Sequence, residues 1–391
     1  MTRQSDRPSS FRLTPMRPRD PHEPGRSASP LELFFDLVFV VAVSNATTQL
    51  HQALAGGHTA HALTTYGLVF FGIWWAWMNF TWFATSFATD DWLYRLLTIV
   101  QMAGVLVLAA GIQPAFADHD YTVLILAYVV MRVAMVAQWL RASRSPGSAR
   151  RAAHMYAAGI AVVQVFWLGQ LALSGTAASV VMIALILTEI AVPIIAETRG
   201  STPWHSHHIT ERYGLFTLIV LGESLLGSAN AVIEAIHAHE AVGKLVEISA
   251  LGLIISASLW WIYFWPPHHV AISSFANSLR YGYVHYFVFG AAGALSTGIG
   301  IQTDRATHHS TVTATAGAFA LTIPVAVFVV AIWWIAMRAN ADRYVNVVVP
   351  VVGVAIAATA LLPGALLWTA LGCAGIVVVL VVRPPRDPGR A

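Results

Sequence analysis

Runs of about 20 apolar residues recur along this chain, separated by short polar connections, and about 20 apolar residues in a helix are what it takes to cross the hydrocarbon layer of a bilayer. The runs fall at approximately 31–50, 61–83, 94–114, 121–141, 153–174, 177–197, 212–235, 245–265, 280–301, 312–337, 343–362 and 364–382. Lipid offers the backbone no hydrogen bonds, so each segment must satisfy its own polar groups, which a helix does internally. The alternating pattern of an outer-membrane β-barrel is absent. Composition agrees, since 57% hydrophobic and 10% charged residues leave too little polar surface to cover a soluble globule. The expected fold class is therefore all-α, a polytopic integral membrane bundle of about twelve spans. The final two runs are separated only by Pro363 and Gly364, so a re-entrant segment or very tight hairpin is the alternative to two full spans there.

Loop charges give an orientation, because cytoplasmic loops are enriched in Lys and Arg. With the N-terminus inside, the inner segments hold Arg3, Arg7, Arg12, Arg17, Arg19 and Arg26, then Arg95, then Arg141, Arg144, Arg150 and Arg151, then Arg199 and Arg212, Arg280, Arg338 and Arg343, and finally Arg383, Arg386 and Arg390. The outer loops hold only Lys244 and Arg305. Adding or removing one span would invert this bias downstream. A sequence pI of 9.1 is thus explained by orientation, and no nucleic-acid partner is expected. The first run, from Leu31, is long and has no small-residue cleavage site after it, so it reads as a span and not as a cleaved signal peptide.

An internal duplication is the second organising feature. WWAWMNFTWFATSFATDDWLYRLLTIV, from Trp74, resembles LWWIYFWPPHHVAISSFANSLRYGYVHYF, from Leu259: paired tryptophans, a polar connection, then an arginine opening the next span. Glu32 opens the first span and Glu211 the seventh, at a similar offset. An even number of spans per repeat makes the halves parallel. The chain then divides into a disordered basic cytoplasmic tail (1–28), a first six-helix half (29–200), a second (201–382) and a basic cytoplasmic tail (383–391).

Charge inside hydrocarbon costs at least about 2.5–3.5 kcal/mol per residue, so each such residue is a functional candidate. Asp36 lies in span 1, Arg132 in span 4, Glu189 in span 6 and Glu223 in span 7. Glu32 and Asp36 share a helix face that continues through Val40, Val43 and Thr47. In span 7, Arg212, Phe216, Ile219, Glu223, Asn230 and Glu234 form a polar seam, with Gly227 expected to allow close approach. Arg132 must find an acid among Asp36, Glu189 and Glu223, and such a pair could be no more than a lock between helices. The tryptophans read chiefly as an interfacial belt, with a cation-binding aromatic wall as the alternative. His205, His207 and His208 precede Glu211, but a short His tract is weak ground for a metal site, and neither metal nor cofactor is expected. The one cysteine, Cys373, permits no internal disulfide. No nucleophile elbow, P-loop or dinucleotide fingerprint is present.

Two segments resemble a known family. PLELFFDLVFVVAVSNATTQL, from Pro30, and HHITERYGLFTLIVLGESLLG, from His207, are similar to the two signatures of the bacterial low temperature requirement protein A family, and the resemblance covers essentially the whole chain. It implies an integral membrane protein of unassigned molecular activity. Glu32, Phe34, Phe35 and Asp36 match the first signature, and His208, Glu211, Arg212, Gly214, Gly222 and Glu223 the second. FFDLVFVVAV is also similar to the Phe-Ser-Asp segment that opens each repeat of a parallel two-repeat endolysosomal potassium and proton channel family. Here Phe35 stands in place of Ser, and the second half has no such Asp.

The leading expectation is a transporter or channel-like protein of the cell membrane that moves a proton, cation or small solute. Its pathway would use Glu32, Asp36, Arg132, Glu189, His208, Glu211, Arg212, Glu223 and Asn230. The alternatives are a membrane-embedded enzyme acting on a lipid or isoprenoid, with a buried carboxylic acid and aromatic pocket, and a structural or sensory membrane protein. Expected partners are membrane lipids and the small molecule or ion itself; a homo-oligomer is left open.

Overall fold

The computed structural model describes residues 13–87, 89–145, 147–238 and 242–386, and among the described residues the chain is helical without a β-strand. The long helices in chain order are α1 (Pro30–Ala55), α2 (Thr59–Phe87), α3 (Trp92–Asp118, with a turn at Gly111), α4 (Thr122–Ala142), α5 (Ser148–Gln170), α6 (Gly175–Arg199) and α7 (Ser206–Ala238). They continue with α8 (Val242–Phe264), α9 (Phe275–Ala306), α10 (Ala314–Met337), α11 (Arg343–Leu361) and α12 (Ala365–Val382). Each expected apolar run overlaps one of these helices. Among the described residues, ten of them are long and apolar enough to cross a membrane. The other two, α2 and α7, have 29 and 33 residues, and the tryptophans and threonines of α2 lower its hydropathy.

The last two runs form two helices, each long and apolar enough to span a membrane. Gly364, at φ +75°, turns the chain between α11 and α12, and Thr359 meets Thr369 at 3.4 Å across the hairpin.

The chain divides into two compact units. Unit 1 takes the residues up to Phe39, Ala76–Gly111 and Tyr121–Ile209; unit 2 takes Val40–Trp75, Ile112–Asp120 and the chain from Thr210 onward. Helices α1 and α2 therefore contribute to both.

In unit 1, α3 packs on α4, α4 on α5 and α5 on α6. Helices in lipid gain little from hydrophobic transfer and associate through close contact at small residues; a side chain at Gly104 would collide with Met131 of α4. The residues before α1, expected to belong to a disordered tail, lie against this unit from 13 onward; residues 1–12 and 387–391 are outside the described residues. The Thr14 amide donates to Asp91 Oδ2 at 3.1 Å, the Ser145 hydroxyl to the Met16 carbonyl, and the Arg19 amide to the Ser86 carbonyl at 2.9 Å. Composition hides this strap because its hold comes from backbone groups, from the buried Met16 and from Arg26 on Glu32. Asp91 joins it to the α3 terminus, capping the Tyr94 amide at 2.9 Å and receiving Arg141 at 2.5 Å. Burial opposes the charge on Asp91, but the bonds from Arg141 and from the Tyr94 and Thr14 amides outweigh it and hold its pKa below the ordinary carboxylate value.

In unit 2, α9 and α10 approach so closely at Gly298 that a Cβ there would sit 2.7 Å from the Ala320 carbonyl oxygen. The core near the start of α9 is a reciprocal tyrosine–histidine ring. Tyr263 Oη is 3.1 Å from His285 Nε2, and His285 Nδ1 is 2.7 Å from the Tyr281 carbonyl. Tyr281 Oη is 3.0 Å from His268 Nδ1, and His268 Nε2 is 2.6 Å from the Tyr263 carbonyl. A carbonyl only accepts, so His285 Nδ1 and His268 Nε2 carry the hydrogens, and the other ring nitrogens accept the tyrosine hydroxyls. The loop closes on itself with both imidazoles neutral. Tyr213 of α7 packs edge-on against this ring, its centroid 4.6 Å from His285 and 5.3 Å from Tyr281, which seats the helix that carries Glu223.

His268 lies in the turn between α8 and α9, where burial lowers its pKa to about 4 against the opposing bond to the Tyr263 carbonyl, with His269 adding to the lowering. An unfolded histidine titrates near 6.5, so the unfolded chain takes up this proton first on acidification. The ring's contribution to stability is full above about pH 6.5 and falls as pH drops toward 4. We expect the thermal midpoint in detergent to decline over that window. His268→Phe should flatten the decline and lower the midpoint at pH 7, because it strands the Tyr281 hydroxyl at a cost of about 1–3 kcal/mol.

Candidate functional site

The start of α1 reads Ser-Pro-Leu-Glu, and its geometry is a reciprocal cap. The Ser29 amide donates to Glu32 Oε2 at 2.7 Å, the Glu32 amide donates to Ser29 Oγ at 3.3 Å, and Pro30 occupies the first helical position, where a missing N–H costs nothing. The other Glu32 oxygen lies 3.4 Å from Arg26 Nη2 and 3.2 Å from His208 Nε2. Glu32 is thus buried and held from three directions, which accounts for it as an anchor of the helix start. The S-x-x-E spacing carried that signal in the sequence.

One turn on, Asp36 is fully buried and accepts a hydrogen bond of 2.7 Å from Trp77 Nε1. The tryptophans expected in an interfacial belt divide by burial. Trp74, Trp75 and Trp77 are core residues of their units, whereas Trp260, Trp261 and Trp334 are exposed on the helix surfaces, where a belt would lie. The polar connection after Trp74 and Trp75 dictates the difference only through packing, which spacing does not reveal.

Arg132 resolves its three-way choice in favour of Glu189. Its Nη2 meets Glu189 Oε2 at 2.8 Å, Gln164 Nε2 of α5 meets Glu189 Oε1 at 2.9 Å, and the guanidinium lies 5.5 Å from the Tyr128 ring centroid. Both partners are buried, Arg132 at 2% and Glu189 at 0% exposure. Each carboxylate oxygen therefore has a donor, and α4, α5 and α6 are tied at one point. Gln164 gave no warning in sequence, because an amide in a span is unremarkable until its neighbour is known.

Glu223 stands apart. Midway along α7 in unit 2 and half-buried, it accepts a 2.7 Å hydrogen bond from the Ser44 hydroxyl of α1. Among the described residues no Lys, Arg or His lies within ion-pair reach of it. The helix is open beside it, since a Cβ built at Gly222 or Gly227 meets no described atom within 4 Å. The close approach expected at Gly227 is found instead at Gly214, where a Cβ would lie 3.0 Å from the Phe264 ring. On the same helix Arg212 is fully buried and Glu211 half-buried. Asn230 lies in α7, but its side chain, like that of Glu234, is outside the described residues.

The histidine tract is dispersed by the fold. His205 Nε2 bonds the Glu23 carbonyl at 3.0 Å, His208 faces Glu32, and His207 is exposed. Among the described residues no three His, Cys, Asp or Glu side chains converge as metal ligands would.

Residues 27–382 match the model of the family described as bacterial low temperature requirement A protein (LtrA). The chain belongs to the LtrA family. It is also 27% identical over 242 residues to an uncharacterized protein of Rhizobium meliloti (strain 1021), a match that spans 60% of this chain and 57% of that protein. The capped helix start, the Arg132–Glu189 pair and Glu223 all lie within the matched residues.

If Arg132 and Glu189 lock helices together, their effects must be coupled. Arg132→Leu or Glu189→Leu alone should destabilise the purified protein by about 3–5 kcal/mol by stranding a buried charge, while the double replacement should recover most of that loss. Thermal unfolding of the four proteins in one detergent measures the coupling.

Proposed function

We propose that this LtrA protein moves a proton or small cation across the membrane, with Glu223 as the exchanging carboxylate. The observation that carries the reading is the contrast among the intramembrane acids. Glu32 and Glu189 have cationic or amide partners and Asp36 an indole N–H, whereas Glu223 is met by a neutral hydroxyl on a helix with open space beside it. A carboxylate set within a span leaves one negative charge to be matched, and a proton or a transported cation is the simplest match when no basic side chain supplies it.

The reading includes α2 and α7 as spans, which gives twelve with both ends cytoplasmic. Their 29 and 33 residues are long enough at about 1.5 Å per residue, and this count keeps the arginine-rich segments on one side. It also includes the parallel duplication. The connections opening α3 and α9 both end in a side-chain cap, Asp91 on Tyr94 and Ser274 on Asn277, just ahead of Arg95 and Arg280.

The test is flux in proteoliposomes carrying an internal pH dye, under proton, sodium and potassium gradients in turn. Glu223→Gln should reduce flux at least tenfold while eluting as the native protein does, and Glu223→Asp should retain part of it. Flux through Glu223→Gln equal to that of the unaltered protein would contradict the assignment.

A further inference from the structure

Unit 2 contains an apolar cavity of about 630 Å³, within the range of sites that take one small-molecule ligand. Its wall includes Leu50 and Leu54 of α1, Leu63 of α2, Ile301 of α9, and Ile323 and Pro324 of α10. Among the described residues no charged side chain lines it, and of its four threonines Thr311 and Thr313 lie in the connection between α9 and α10. Both helices are long and apolar enough to span a membrane, so that connection sits at a membrane face.

From Thr313 to Pro324 the wall descends about 16 Å at 1.5 Å per residue, which is roughly half of the ~30 Å hydrocarbon thickness. That is the depth one acyl chain occupies in one leaflet. Leu63 and Ile323 are each about half exposed at 55% and 48%, so the cavity opens sideways to where lipid lies.

A charge waits at the shallow end. Arg305, in the last turn of α9, is held by its Nε to the Val312 carbonyl at 3.1 Å, and Val312 lines the cavity. Its terminal nitrogens make no hydrogen bond to the described residues. The neighbouring Asp304 is engaged elsewhere, with His51 Nε2 at 2.8 Å. A cation fixed at the interface above an acyl-sized slot suits an amphiphile with an anionic head. We propose that the cavity holds one acyl chain of an anionic phospholipid, with the lipid phosphate on the Arg305 guanidinium.

The experiment is native mass spectrometry of the purified full chain, exchanged into detergent with dioleoyl phosphatidylglycerol or with dioleoyl phosphatidylethanolamine. The protein should retain one phosphatidylglycerol about fivefold more than phosphatidylethanolamine, the preference that a single interfacial arginine supplies. Arg305→Gln should abolish that preference while one lipid still binds. Ala316→Trp and Ala320→Trp, which fill the slot at two depths, should each lose the retained lipid while eluting as the native protein does. Retention by both tryptophan variants at the native level would overturn the proposal, as would equal retention of the two lipids by the unaltered protein.

Discussion

Every charged group placed within these helices has to be answered on the spot, because neither water nor a mobile counter-ion is at hand in hydrocarbon. Glu189 shows the rule in its fullest form. Arg132 takes one oxygen and Gln164 the other, from two different helices, so the answer to one charge also fixes how α4, α5 and α6 meet. A pair of this kind adds little net stability compared with well-packed apolar residues, but losing either member leaves a buried charge exposed to the full penalty. The packing of unit 1 is thereby made specific as well as close.

The same rule sorts the acids by what meets them. Glu32 is consumed in a helix cap and in contacts with Arg26 and His208, and Asp36 in the bond from Trp77. Glu223 has a hydroxyl for company and unfilled space at Gly222 and Gly227. In unit 2 the tyrosine–histidine ring and Tyr213 hold the start of α7 in place, so a carboxylate with freedom beside it is mounted on a helix that has little.

The helices were legible because hydropathy and loop charge act locally: each run of apolar residues predicts its own segment without knowing its neighbours. At the last pair of runs Pro363 and Gly364 marked the turn, which Gly364 makes at φ +75°, while hydropathy alone left two spans and a re-entrant hairpin open. Individual acids could be found as candidates for the same reason, as charges in apolar runs. Their partners could not, since Ser44 and Glu223, or Gln164 and Glu189, are joined only by tertiary packing. Trp74, Trp75 and Trp77 misled because a buried indole and an interfacial one leave the same trace in a sequence. The strap before α1 was hidden by a composition that resembles disorder, although its backbone donors and acceptors meet unit 1 one by one.

The central proposal is that Glu223, and not Glu32, Asp36 or Glu189, exchanges the transported proton or cation. Dicyclohexylcarbodiimide reacts with protonated carboxyl groups in apolar surroundings, and peptide mapping by mass spectrometry locates the adduct. Labelling of the purified LtrA protein in lipid is predicted to fall on Glu223, to weaken when the transported cation is added, and to leave Glu189 unmodified. Adducts on Glu189 with Glu223 untouched would contradict the division between anchoring and working acids.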